Sequence, residues 1–146
     1  MLKKIVFSSC LVAGLVLSAC AITPTSVTER NLNQLQNTNW VVKEIQGVEF
    51  SAAPPLKLPF IKFSNESISG SDGCNRFTGG YTIQAQHIRL SNRVSTRMAC
   101  LYATDLPQKF NSALNNVTRY EVNAKELKLL DAQQHIVLKF IPAQQK

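Results

Sequence analysis

Histidine and carboxylate are scarce in this chain, with two His and nine Asp plus Glu in 146 residues. His87 and His135 stand apart in sequence, and neither belongs to a recognisable metal-ligand cluster, so a zinc-type site is not expected. No Cys-x-x-Cys occurs among the four cysteines, which removes the common redox and zinc-ribbon patterns. The nearest approach to a nucleophile elbow, Gly70-Ser71-Asp72-Gly73, lacks the Gly-x-Ser-x-Gly spacing and reads as a turn. Phosphate-cradling glycine patterns are missing too, as are paired carboxylates for hydrolysis and any internal repeat. A non-enzyme without a cofactor is the resulting expectation. Apolar runs are short as well. The longest, Ile5 to Leu17, is interrupted by Ser8, Ser9, Cys10 and Gly14, and its length of about 13 residues falls short of the roughly 20 that a spanning helix needs.

That run does have the form of an export signal. Met1-Leu2-Lys3-Lys4 supplies a cationic start and Ile5 to Leu17 the apolar centre. Leu17-Ser18-Ala19-Cys20 follows and resembles a bacterial lipobox, in which small residues fit the signal peptidase and the cysteine thiol takes a diacylglyceryl group. The resemblance implies a signal peptide over 1–19 and a lipid on Cys20, with a membrane anchor that needs no protein helix, since two or three acyl chains hold firmly. An ordinary signal peptide cut after Ala19 remains the alternative. Ala21 is not the aspartate of an inner-membrane retention signal, so the expected location is the outer membrane, facing the periplasm.

The formal charge is +7, and Lys3 and Lys4 supply two of these charges, leaving +5 for the chain from Cys20. A basic protein in the envelope is drawn to anionic lipid or to acidic envelope proteins. Nucleic acid is not an expected partner, because the cations are scattered and not interleaved with aromatics along a stripe.

Residues 20–37 are rich in Thr, Ser, Asn and Gln, with too few apolar residues for a long buried face, and read as a lipidated terminus and flexible tether. From 38 to 146 the pattern is one domain of short alternating runs broken by Gly, Pro, Asn and Asp. Strands are predicted over Asn39–Ile45, Phe60–Ser64, Ser67–Ser71, Phe77–Ile83, His87–Leu90, Arg119–Asn123, Glu126–Leu130 and Ile136–Ile141. Gly70, Gly79 and Gly80 inside strands point to bulges or sharp bends. Leu106, Phe110, Ala113, Leu114 and Val117 recur at helical spacing, with Asp105 as the expected cap, Gln108 three residues on, and Pro107 in the first turn. The fold class is therefore α+β, mostly antiparallel: a curved half-barrel sheet of about eight strands with one covering helix.

Export removes Cys10 and lipidation occupies Cys20, so Cys74 and Cys100 are left in an oxidising compartment, where pairing is expected. A reactive thiol pair or a metal site are the competing readings. Asp72, between two small turn residues, is expected to satisfy turn amides. Asn75 and Arg76 are the most suggestive polar residues for binding, because they flank the expected bridge in a glycine-rich bend; local hydrogen bonding is the competing reading.

Gly70-Ser71-Asp72-Gly73-Cys74-Asn75-Arg76-Phe77, Gly79-Gly80-Tyr81 and Thr96-Arg97-Met98-Ala99-Cys100 together resemble the paired signature of the META domain, the family that includes HslJ-like bacterial lipoproteins. Trp40, Phe110, Leu114 and the closing strands extend the match over roughly Leu35 to Pro142. The resemblance implies a small antiparallel half-barrel with one helix. It also implies a role in stress or novobiocin-type antibiotic tolerance through binding an envelope component, with no agreed ligand. A periplasmic inhibitor, or a chaperone- or pilotin-like module for lipid or peptide, is the alternative.

Overall fold

The computed structural model describes residues 27–51, 53–100 and 104–144. The expected signal peptide and Cys20 lie outside them. Among the described residues no helix is long and apolar enough to cross a membrane.

Nine strands and two helices follow one another as α1 (Val27–Gln36), β1 (Asn39–Ile45), β2 (Val48–Glu49), β3 (Phe60–Ser64), β4 (Ser67–Ser71), β5 (Arg76–Gln84), β6 (His87–Ser95), α2 (Leu106–Asn115), β7 (Arg119–Val122), β8 (Leu127–Leu130) and β9 (Ile136–Pro142). Every pairing is antiparallel. The sheet runs in sequence order from β3 to β9 and returns to β1, which pairs with both β3 and β9. It therefore curls into a ring, as the half-barrel expectation required. The seam is weakest between β6 and β7, where a single residue pair, His87 with Arg119, is in register. Two further backbone bonds, Ile88 to the Thr118 carbonyl and Tyr120 to the Gln86 carbonyl, both 3.0 Å, close that end.

Alternation decides which side chains enter the ring. Trp40 and Val42, Ile61 and Phe63, Phe77 and Tyr81, and Leu138 and Phe140 are all buried, while their neighbours face out or sit at the boundary, except Val137, which is buried beside Leu138. α2 is amphipathic and buries Leu106, Phe110, Ala113 and Leu114. Its Phe110 ring stands 6.0 Å from Phe77 and 6.4 Å, edge-on, from Phe140, a spacing at which aromatic pairs gain beyond area burial. Asp105 does precede this helix, but its side chain makes no cap bond; it pairs with Lys109 at 2.7 Å.

Three features depart from the sequence expectation. The end of the presumed tether is helix α1, so two helices and not one accompany the sheet. Leu35 is fully buried, the Trp40 indole donates to the Leu35 carbonyl at 3.0 Å, and the Gln36 amide donates to the Tyr81 hydroxyl at 2.7 Å. One buried leucine and two bonds to the barrel give a polar segment its docked helix. The second departure is β2, which folds back on β1 through Gln46 and Gly47, both with positive φ (48° and 82°), the conformation of a two-residue type I′ hairpin. Thirdly, the bulge signalled by the glycines lies on β6: the register steps between Thr78 and Gly80, so Asn92 and Arg93 oppose Gly79. Asn92 adopts φ 49° there, and a Cβ on Gly79 would fall 2.8 Å from Arg93 Cγ.

Candidate functional site

The family-like motifs converge on one bend. Gly70 closes β4 where a Cβ would collide with the Phe60 carbonyl oxygen and lie 2.7 Å from the Phe77 ring. Asp72, 3% exposed, then organises the turn. Its Oδ1 accepts the Cys74 amide at 2.9 Å and the Asn75 amide at 2.6 Å, and its Oδ2 accepts the Asn111 side-chain amide of α2 at 2.8 Å. Satisfying consecutive amides with one carboxylate is the Asx-turn role expected of Asp72, and the bond to Asn111 locks the turn to the helix. Gly73 has φ 99°, and a Cβ there would approach the Lys57 carbonyl to 2.8 Å.

Cys74 and Cys100 form a disulfide with Cα atoms 5.7 Å apart, within the ordinary span of such bridges. The Asn75 carbonyl oxygen Oδ1 accepts the Met98 amide at 2.8 Å and the Thr96 hydroxyl at 3.4 Å. Arg76 donates its backbone amide to Thr96 Oγ1 at 3.0 Å, and its carbonyl accepts the Thr96 amide at 2.9 Å. Asn75 is thus occupied in bracing the 96–100 loop, whereas the Arg76 side chain is exposed. The bracing roles of Thr96, a motif residue, and of Asn111 carry no local signal, because their partners are 20 and 39 residues away along the chain.

Beside the bridge lies an open cleft of about 160 Å³, with Leu56, Lys57, Cys74, Met98, Cys100 and Leu106 among its walls. At the α1 end a broader hollow of about 480 Å³ is bounded by Leu32, Gln36, Asn65, Glu66, Tyr81 and Thr82. Neither holds a nucleophile hydrogen-bonded to a base. The buried Tyr120 hydroxyl has no protein partner among the described residues. Burial, and secondarily the nearby Tyr81 phenol, push its pKa above the ordinary value. His135 is not wholly isolated, as its Nδ1 lies 3.2 Å from Asp131 Oδ2. Asp131 is also tied to the amides of Gln133 and His135, and no group of three His, Cys, Asp or Glu suited to a metal occurs among the described residues.

Charge is partitioned around the barrel. On the half built from β7, β8, β9 and β1, lysines meet carboxylates: Lys139 with Glu44 at 2.7 Å, Lys128 with Glu126 at 2.9 Å, and Lys43 with Glu49 of β2 at 3.5 Å. The bond from Lys128 holds the Glu126 carboxyl below its usual range, and the bond from Glu44 raises Lys139.

The META domain model matches residues 33–145, nearly the whole described barrel. The chain belongs to the META domain family. Two solved structures share its fold. One, determined by NMR, has 24% identity and a TM-score of 0.61, and the match covers 75% of this chain and 92% of that one. Another, an NMR structure of a protein from Burkholderia xenovorans, has 21% identity and a TM-score of 0.60, covering 91% and 100%. No curated protein matches this META-domain chain. At these identities the structural likeness extends to the fold alone.

Proposed function

We propose that this META-domain protein is a lipid-anchored, non-catalytic binding module of the bacterial envelope, acting in tolerance to stress or to novobiocin-type antibiotics. The observation that carries the reading is how the polar residues of the family motif are engaged. Asp72, Asn75 and Thr96 bond to one another's backbone or side chains and, through Asp72, to Asn111 of α2, which supports reading the motif as a brace for a surface. The lipobox-like Leu17-Ser18-Ala19-Cys20 supports an anchor at Cys20, only a short segment before α1, and Ala21 favours the outer membrane. The net basic charge favours anionic lipid or an acidic envelope protein as partner, and it disfavours an inhibitor of a cationic enzyme, which the domain would repel.

The test has two parts. Mass spectrometry of the amino-terminal peptide is expected to find acylated Cys20, and Cys20→Ser to release the protein from membranes. Deletion of the gene is expected to leave growth in rich medium unchanged and to sensitise cells to heat or novobiocin. A deletion strain matching wild type under every envelope stress, or turnover of an envelope substrate by the purified domain, overturns the proposal.

A further inference from the structure

The outer face of β3 to β6 differs from the rest of the barrel. Its outward positions are Phe60, Lys62 and Ser64 on β3, Ser67, Ser69 and Ser71 on β4, Arg76, Thr78, Gly80, Thr82 and Gln84 on β5, and His87, Arg89, Ser91 and Val94 on β6. Lys62, Arg76 and Arg89 are exposed, and none has a carboxylate partner among the described residues. No strand of this face contributes a carboxylate. Asp72, in the turn at one end, is buried and fully engaged. Glu66, in the β3–β4 turn at the other end, is the one acidic residue bordering it.

Register fixes the spacing. Lys62 opposes Ser69, which opposes Thr78, two strands over, a separation of about 10 Å. Arg76 precedes Thr78 on the same side of β5, and Arg89 opposes Thr82, so the two arginines stand about 20 Å apart along the sheet. Between the cations the side chains are Ser, Thr or Gly, save for half-buried Phe60 opposite Ser71 and exposed Val94 opposite Thr78. Long cationic side chains therefore stand among mostly short, hydroxyl-bearing ones on this outer face. Lysines of the opposite half meet carboxylates, whereas Lys62, Arg76 and Arg89 stand on this face without one.

We infer that this sheet face is the membrane-adsorbing surface of the protein, with an anionic phospholipid headgroup layer as its occupant. The inference rests on the envelope-binding function proposed above and assigns it to a surface. Complementarity of charge points to a headgroup layer, and the short segment between Cys20 and α1 keeps the barrel within reach of it. Val94, opposite Thr78, is the one large apolar side chain of the described face that is well exposed. Adsorption is accordingly electrostatic and weakens as salt shortens the screening length.

The experiment uses the mature chain with Cys20→Ser, so that lipid insertion does not mask adsorption, and vesicles of phosphatidylglycerol mixed with phosphatidylcholine against phosphatidylcholine alone. Wild type is expected to co-sediment with the anionic vesicles at low salt and to be released by added salt. The triple variant Lys62→Gln, Arg76→Gln, Arg89→Gln is expected to lose roughly a hundredfold in partitioning, about fivefold per cation. A control with the same net charge, Lys109→Gln, Lys125→Gln, Lys128→Gln, is expected to lose far less. Thermal unfolding of each variant establishes that it is folded. If wild type adsorbs and both triple variants lose binding equally, attraction belongs to the whole body and the assignment to this face falls while the envelope reading stands. If wild type ignores anionic vesicles, the face is not a phospholipid surface, and anionic lipid is removed as the partner in the proposed function as well.

Discussion

Removing the Asp72 carboxylate is expected to loosen the bend more than any other single polar change in the motif. Three donors converge on it: the amides of Cys74 and Asn75 on one oxygen and the Asn111 amide on the other. Bonds to a charged acceptor contribute about 1.5–3 kcal/mol each when removed, less where water reaches the orphaned donor. Cys74 and Asn75 are half-buried, and Asn111 keeps a second bond to the Pro107 carbonyl at 2.8 Å, so the sum is discounted to about 3 kcal/mol for Asp72→Ala. Asp72→Asn preserves the oxygen facing the turn but sets an amide against the Asn111 amide, and it is expected to cost about half as much. Asn111→Ala removes a single acceptor contact of Asp72, with an expected cost of about 1 kcal/mol. Because Asp72 and Asn111 touch, the double variant is expected to cost less than the two singles combined. Urea unfolding of the oxidised chain with Cys20→Ser, at constant m-value, reads each difference from the midpoint. A loss under about 1 kcal/mol for Asp72→Ala, or Asp72→Asn as damaging as Asp72→Ala, would refute the account of the bend.

Cys74→Ser and Cys100→Ser are expected to destabilise about equally, by roughly 3.5 kcal/mol from loop closure; unequal losses in unfolding midpoint, or two freely alkylated thiols in the folded oxidised protein, would count against the bridge. Leu35→Ala leaves a cavity at the α1 contact and is expected to cost about 2–4 kcal/mol, with loss of α1 protection in hydrogen exchange; unchanged stability would mean that α1 is not docked through this residue. Tyr120 has a folded pKa above its ordinary 10.0, so the stability it contributes is fully present below that pH and is lost as pH rises through the higher folded value. Tyrosinate absorbance in Tyr120→Phe is therefore expected to lack the last-titrating phenol, and retention of that phase would assign it elsewhere.

Much of the barrel was legible in the chain itself. β1, β3 and β4 begin and end where alternation placed them, because a period of two is visible within a handful of residues and needs no knowledge of the partner strand. Helical spacing likewise placed the start of α2, whose apolar residues fall on one face, although the helix stops at Asn115, short of Val117; the turn role of Asp72 was legible because its amide partners lie two and three residues on. Asn75 was less legible. Its side chain is used by residues 21 and 23 positions away, and only a folded chain brings them near.

The sequence by itself determined the family signature, the export-like start, the excess of positive charge and the identity of most strands, all of which are local or compositional. Tertiary structure decided what depends on pairing at a distance. It closed β1 against β9, drew the polar segment Val27–Gln36 into a helix over Tyr81, and put the bulge on β6 opposite Gly79. It also sorted the charges. Composition counts lysines and carboxylates, but the register of the ring pairs Lys139 with Glu44 from opposite ends of the chain and leaves Lys62, Arg76 and Arg89 without such partners on a single face. The physical reason is that charge acts through space, and neighbours in space are chosen by the sheet and not by the order of residues.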